Sequence, residues 1–294
     1  MKSEFPIRNR DYVGPCTDTR VWDRFELRPG DVVLSTPPKS GTTWSQAILM
    51  MLIHGQAISD RAVWRDSKWL DCGFRDQDEL ANALEAQDHR RCIKSHTPFD
   101  GITYAPDVIY IAVYRHPIDV YFSFERHVAN MNSDFLDFHF AADPAVNFRR
   151  FLENPKTDMG SDDLTLASLC HHYQSFRDWT HLPNVHLFHY SDLKRNPRRE
   201  VMRFAAILGL ELPAALIDAI VEASSFDQMK GVARVTVRPA ESVFANPAGF
   251  FDAGTNKKWL GRLSQEELLA YRDRLSDIVG TEDQRWLEDG SAED

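Results

Sequence analysis

Asp31-Val32-Val33-Leu34-Ser35-Thr36-Pro37-Pro38-Lys39-Ser40-Gly41-Thr42-Thr43-Trp44 is the stretch on which the reading of this chain turns. Residues 31–36 have the apolar, β-branched character of a short buried strand. Pro37 and Pro38 stop it, and a loop of small and hydroxylated residues follows. Trp44 to His54 is then continuously apolar and of helical length. Strand, loop and helix in that order open a nucleotide-binding α/β unit. In the loop, Gly41 lets the backbone turn so that successive amides face inward, Thr42 and Thr43 add hydroxyl donors, and Lys39 adds positive charge. The helix that follows directs its unpaired N–H groups at the same spot. The product is a nest for an anion. It is not the common ATP-binding loop, GxxxxGK followed by Ser or Thr, because Lys39 precedes Gly41 and no Gly opens the motif. The bland alternative is a tight strand–helix turn with a chance Lys; the density of hydroxyls argues against it.

Further strands follow. Cys92-Ile93-Lys94-Ser95 ends at His96-Thr97-Pro98, and Val108 to Tyr114 stops at Arg115-His116-Pro117, where a helix runs from Asp119 to about Asn130. Val185 to Tyr190 precedes a helix from Pro197 to Leu208, closed by Gly209. Near-continuous apolar strands alternating with helices imply an α/β fold, a parallel sheet covered on both faces. Ligands of such sheets sit at the carboxyl ends of the strands. Lys39, His96 and Arg115 all fall just after predicted strands.

The 294 residues fit one α/β domain spanning 1–294. Two stretches read as lids. Residues 61–78 mix Trp64, Trp69 and Phe74 with charges; residues 132–163 hold Phe135, Phe138, Phe140 and Phe148. Their aromatics suit a hydrophobic acceptor pocket or, equally, local core. The tail from Thr281 is acidic apart from Arg285 and is expected to fray. Hydrophobic residues make up 43% and charged residues 27%, ordinary for a globular enzyme. A net charge of -10, from 34 Lys and Arg against 44 Asp and Glu, argues against broad nucleic-acid binding. Four cysteines without a CxxC pair suggest neither a zinc site nor a disulfide framework and fit a reducing, cytoplasmic setting. The first thirty residues show no signal-like apolar region, and Ala47 to Ile53, the longest apolar stretch, is too short to span a bilayer. No membrane or nucleic-acid partner is expected. Eleven histidines include no HExxH or other tight metal-ligand spacing.

Pro38-Lys39-Ser40-Gly41-Thr42-Thr43-Trp44 resembles the 5′-phosphosulfate loop of the cytosolic sulfotransferase family. The resemblance implies a P-loop, nucleotide-kinase-like α/β fold, the donor PAPS (3′-phosphoadenosine 5′-phosphosulfate), and no metal. It implies that Lys39, Ser40, Gly41, Thr42 and Thr43 grip the 5′-phosphate and that Trp44 packs near the adenine. The family places an Arg after a central strand and a Ser eight residues on, both at the 3′-phosphate; Arg115 and Ser123 have that spacing. An Arg offers a planar fork suited to phosphate oxygens, although an Arg alone is more often a surface ion pair. Tyr190 in Tyr190-Ser191-Asp192, and the segment Ser224-Ser225-Phe226, resemble the family's adenine contacts. Core packing or a helix cap explains them nearly as well.

The family's base is a His in a Lys-Thr-His segment, matched here by Lys94-Ser95-His96-Thr97-Pro98. A His suits the task because its pKa lies near working pH. The expected roles are His96 as base for the acceptor proton, Lys39 on the bridging oxygen and leaving phosphate, and Lys94 on the sulfuryl oxygens. By family analogy Ser123 holds Lys39 until an acceptor binds. A hydrogen-bonded strand-end histidine is the plain alternative for His96. The family's closing segment, RKGxxGDW, is matched only in part by 250–259: Gly254 and Trp259 align, but Asp252 and Ala253 stand where Arg and Lys would be, and an Asp repels phosphate. Lys257 and Lys258 are the alternative source of charge, and Gly254 still offers its amide. The dimerisation motif KxxxTVxxxE is missing after Trp259, where Leu263-Ser264-Gln265-Glu266-Glu267 reads as a capped helix start. The chain thus reads as a sulfotransferase for a hydroxyl or amine of a small, apolar or aromatic acceptor. A nucleotide-dependent phosphotransferase and a non-catalytic nucleotide-binding module are the rivals.

Overall fold

Four short strands, β1 Val32–Ser35, β2 Cys92–Ser95, β3 Ile109–Tyr114 and β4 Val185–His189, form one sheet. The structure, a computed structural model, describes residues 3–131, 140, 143–160, 163–236, 244–246, 251 and 254–291. The strands are parallel, in the order β2-β1-β3-β4. Val32 lies opposite Cys92 on one side and Ile109 on the other, and Tyr110 lies opposite Val185. Around the sheet run α1 Thr42–His54, α2 Gln77–Glu85, α3 Pro117–Ala129, α4 Pro144–Glu153, α5 Leu166–Arg177 and α6 Tyr190–Arg195. They are followed by α7 Pro197–Ile207, α8 Ala214–Ala223, α9 Phe226–Thr236, α10 Gln265–Ile278 and α11 Thr281–Asp289.

Side chains alternate across the sheet. Val33, Ile93, Tyr110, Ala112 and Tyr114 pack in one core with Phe99 and with Tyr173 and Phe176 of α5. Val32, Leu34, Cys92, Ile111 and Val113 pack in another with Ile48 and Leu49 of α1, Phe204 of α7 and Ile220 of α8. Both faces are covered, which is why the strands read as near-continuous apolar runs. Each Val, Leu, Ile or Phe so removed from water contributes about 1.5–3 kcal/mol. At the amino end of the sheet the buried Arg91 guanidinium grips the Asp31 carboxylate, with Nε 2.8 Å from Oδ1, and ties β1 to β2.

This strand order positions the site. From β1 the chain passes through α1 and α2 to β2, then crosses to β3 on the opposite flank of β1. The connections leaving β1 and β3 diverge, opening a crevice at their carboxyl ends. Residues 36–41 and Arg115 stand at that crevice.

The structure departs from some of these expectations and bears on others. Within the tail expected to fray, Thr281–Asp289 is a helix, α11. Leu287 is 3% exposed, and Trp286 packs against Tyr114, Tyr173 and His189. Asp283 of this helix accepts from Tyr173 Oη at 2.7 Å and Arg177 Nε at 3.1 Å. Segment 61–78 is stitched to its neighbours. Gln46 Nε2 donates to the Ser67 carbonyl at 3.0 Å, and Lys68 and Leu70 exchange backbone hydrogen bonds with Lys94. In the second proposed lid, Phe135 and Phe138 lie outside the described residues. Phe148 is core, packed with Tyr121, Phe122 and Phe151. α1 begins at Thr42, and β4 ends at His189, so Tyr190 opens α6. The capped start at Ser264 is present as a reciprocal pair: Glu267 N donates to Ser264 Oγ, and Ser264 N donates to Glu267 Oε2.

Candidate active site

The loop after β1 is held open from within. Gly41 precedes α1 with φ 112°, a region where an L side chain is strained, and an added Cβ would stand 3.0 Å from Tyr190 Cδ2. Lys39 is also left-handed, with φ 66°. Thr36 Oγ1 and Thr42 Oγ1 meet at 2.5 Å and pin the two ends of the loop together. Ser40 Oγ and Trp44 Nε1 are buried and have no hydrogen-bond partner among the described residues. A buried polar atom left alone is costly, and at a helix N-terminus a bound anion would satisfy it. The loop therefore fits a phosphate or sulfate group on this structure's own evidence.

His96 lies just past β2. Its Nδ1 is 2.7 Å from the Thr36 carbonyl oxygen. A carbonyl only accepts, so Nδ1 carries the hydrogen and Nε2 keeps its lone pair. Burial, and then the charge of Lys94, hold the imidazole pKa well below 6.5. The ring packs edge-on to Trp69, with centroids 4.9 Å apart. Lys94 Nζ lies over the same indole at 4.4 Å, and burial lowers its pKa to about 8. Beneath them the fully buried Asp71 Oδ2 accepts from Ser95 Oγ at 2.6 Å, Thr97 Oγ1 at 2.8 Å and Trp22 Nε1 at 3.0 Å. Three donors on one oxygen fix the strand end that carries Lys94 and His96.

On the other flank Arg115 leaves β3. Its Nη2 donates to the Thr255 carbonyl at 2.6 Å and lies 4.0 Å from Asp119, and its guanidinium covers the Tyr190 ring at 4.3 Å. Arg115 Nε is buried without a partner among the described residues. Tyr190 also meets Trp44 edge-on at 5.6 Å and donates to the Gly254 carbonyl at 3.3 Å. Gly254 is left-handed, and a Cβ there would come within 2.7 Å of the Phe226 ring. Trp44, Arg115, Tyr190, Phe226 and Gly254 are thus one cluster beside the loop. Ser224 belongs to it by position, but its hydroxyl donates to the Val221 carbonyl at 3.2 Å, closing α8. Asp252 and Ala253 lie outside the described residues. The amides of Lys257 and Lys258 both donate to the Asp119 carboxylate, each at 2.8 Å, and the Lys257 side chain is exposed.

Ser123 is buried on α3, between Asp119 and His127 on the same helix face. The resemblance pairs Lys39 with Ser123; in this structure Lys39 Nζ lies 3.2 Å from His127 Nδ1. Asp71, Asp119 and His127 were not singled out from the sequence. For the α3 pair the available signal was spacing, since residues 119, 123 and 127 recur every fourth position. Nothing local marks Asp71, whose partners are distant in the chain.

Comparisons with known proteins fit this geometry. A family model described as a sulfotransferase domain matches residues 29–277. The glycolipid sulfotransferase of Mycobacterium bovis is 30% identical, over 99% of this chain and 98% of its own. Sulfotransferase 1A1 of Rattus norvegicus is 29% identical over 84% of this chain and 81% of its own. Among solved structures, mouse sulfotransferase SULT7A1 complexed with PAP superposes with a TM-score of 0.69 at 17% identity, covering 90% of each chain. Retinol dehydratase in a complex with retinol and PAP gives 0.70 at 18% identity, over 89% of this chain and 84% of that one. These two structures share the fold. By the match across residues 29–277, the chain belongs to the sulfotransferase family.

Proposed function

We propose that this sulfotransferase uses PAPS as donor and delivers the sulfuryl group to a hydroxyl or amine of a small acceptor, with His96 as the base. The observation that carries the reading is the Thr36–His96 hydrogen bond, which leaves an unprotonated Nε2 beside an anion-binding loop. When bound, the donor supplies the activated sulfuryl group. The amides and hydroxyls of Ser40, Gly41, Thr42 and Thr43 hold its 5′ end. Trp44, Tyr190, Phe226 and Gly254 surround the adenine, and Arg115 with Ser123 takes the 3′-phosphate. His96 Nε2 accepts the acceptor's proton as the acceptor oxygen bonds to sulfur and the bond from sulfur to the bridging oxygen breaks. Lys39 offsets charge on that oxygen and on the leaving phosphate, and Lys94 offsets charge on the sulfuryl oxygens. Positioning and charge stabilisation carry most of such a transfer.

For the acceptor we infer a molecule with an apolar part near the reacting hydroxyl. Trp69 walls one side of His96, and Phe74, in contact with Trp69, is 51% exposed. The mycobacterial relatives make a glycolipid the first acceptor to try. Cys72, Cys92 and Cys170 are free and buried, which we read as a cytoplasmic setting. No helix among the described residues is long and apolar enough to cross a membrane.

The test is His96→Ala. General-base assistance is worth about 10²–10⁴-fold, so turnover should fall by that factor while adenosine 3′,5′-bisphosphate still binds with near-native affinity. Undiminished turnover, or loss of nucleotide binding, would overturn the role given to His96.

A further inference from the structure

Lys39 Nζ lies 3.2 Å from His127 Nδ1. A lysine ammonium offers donors only, so Nδ1 is the acceptor and the imidazole hydrogen sits on Nε2. This is the opposite tautomer to that of His96. Burial, followed by the charges of Lys39 and Lys94 and the neighbouring His96, keeps the His127 ring neutral and able to accept.

The ring is also held from behind. Phe244 packs against it at 5.0 Å, and the stretch 244–246 is latched to the end of α3. Phe244 bridges Met131, and Ala245 N donates to the Asn130 carbonyl at 2.8 Å. Asn246 N donates to Asn130 Oδ1 at 3.1 Å, and Asn130 Nδ2 returns a hydrogen bond to the Asn246 carbonyl at 2.8 Å. Lys39 itself is in the left-handed region, where a non-glycine residue stays only if its surroundings hold it.

We propose that His127 is a positioning residue that keeps the Lys39 ammonium on α3 in the nucleotide-free protein and yields it to the donor, coupling donor engagement to the segment latched by Asn130. This rests on the reading of Lys39 as a donor-binding group.

The test compares wild type, His127→Phe and His127→Gln as full-length proteins, using calorimetry with adenosine 3′,5′-bisphosphate and ¹⁵N NMR of the histidine rings. In the free wild type, His127 should show the Nε2–H tautomer, with the Nδ1 resonance shifting when nucleotide is added. His127→Phe removes a charge-assisted hydrogen bond from the free state alone and should tighten nucleotide binding about tenfold. His127→Gln, which keeps an acceptor, should bind like wild type. An Nδ1–H tautomer in the free protein, a His127→Phe affinity within about twofold of wild type, or Gln behaving as Phe would overturn the proposal. If His127→Phe does not fold, the tautomer of the wild type decides. Wild type that binds no nucleotide at all would instead remove the donor reading on which the proposal stands.

Discussion

The dependence of kcat/KM on pH should depart from that of an ordinary histidine base, and Lys94→Met should change it on both sides. In the free enzyme His96 is held well below 6.5 by burial, with Lys94 the next cause. Its base form is therefore already populated on the acid side of neutrality, and the acid limb should lie well below pH 6.5. Lys94 titrates at about 8. If its charge stabilises the transferring group, activity falls as pH rises through that value. One unit above it, at about pH 9, only about a tenth of the molecules keep the charge, so kcat/KM should drop about tenfold. Lys94→Met removes a like charge from beside His96, which moves the acid limb up, and it abolishes the alkaline limb. The assay is kcat/KM for PAPS across pH, which reports free-enzyme ionisations, with an aliphatic alcohol as acceptor so that its own ionisation lies outside the range. An acid limb centred near 6.5 in wild type, or an alkaline limb that persists in Lys94→Met, would refute the reasoning.

Gly41→Ala forces a side chain into φ 112°, against Tyr190 at 3.0 Å. Left-handed backbone costs an L residue about 1–2 kcal/mol, so thermal stability should fall and adenosine 3′,5′-bisphosphate affinity should drop about tenfold or more, read by thermal melting and calorimetry; unchanged affinity would count against the loop's role. Leu287→Ala empties a buried site on α11 and should cost about 2–5 kcal/mol in denaturant unfolding, whereas a loss near zero would mean that the helix contributes little to the core.

The parts of this molecule legible in the sequence are those carried by contiguous residues. The run 31–44 contains a strand, a loop and a helix start, and its proline, glycine and hydroxyl pattern favours an anion nest over a plain turn. The near-continuous apolar runs at 92–95, 108–114 and 185–190 imply a sheet covered on both faces, though nothing in them dictates the order β2-β1-β3-β4. What escaped the reading depends on partners far apart in the chain. Asp71 matters because the fold brings Trp22, Ser95 and Thr97 to it. Asp119 matters because the amides of residues 257 and 258 reach it. The tail misled because its acidity looks solvent-bound, whereas Asp283 faces Tyr173 and Arg177 and Trp286 closes over the sheet end. His127 stood in plain view at helical spacing from Ser123, but only the folded loop brings Lys39 to it.

A crystal structure of the protein with adenosine 3′,5′-bisphosphate tests the central claim most directly. The account predicts the 5′-phosphate within about 3 Å of the amides of residues 40–43, its oxygens facing Lys39 and the His96 imidazole, and the 3′-phosphate against Arg115. A nucleotide bound away from this loop, or bound there with His96 turned from the 5′ end, would contradict it.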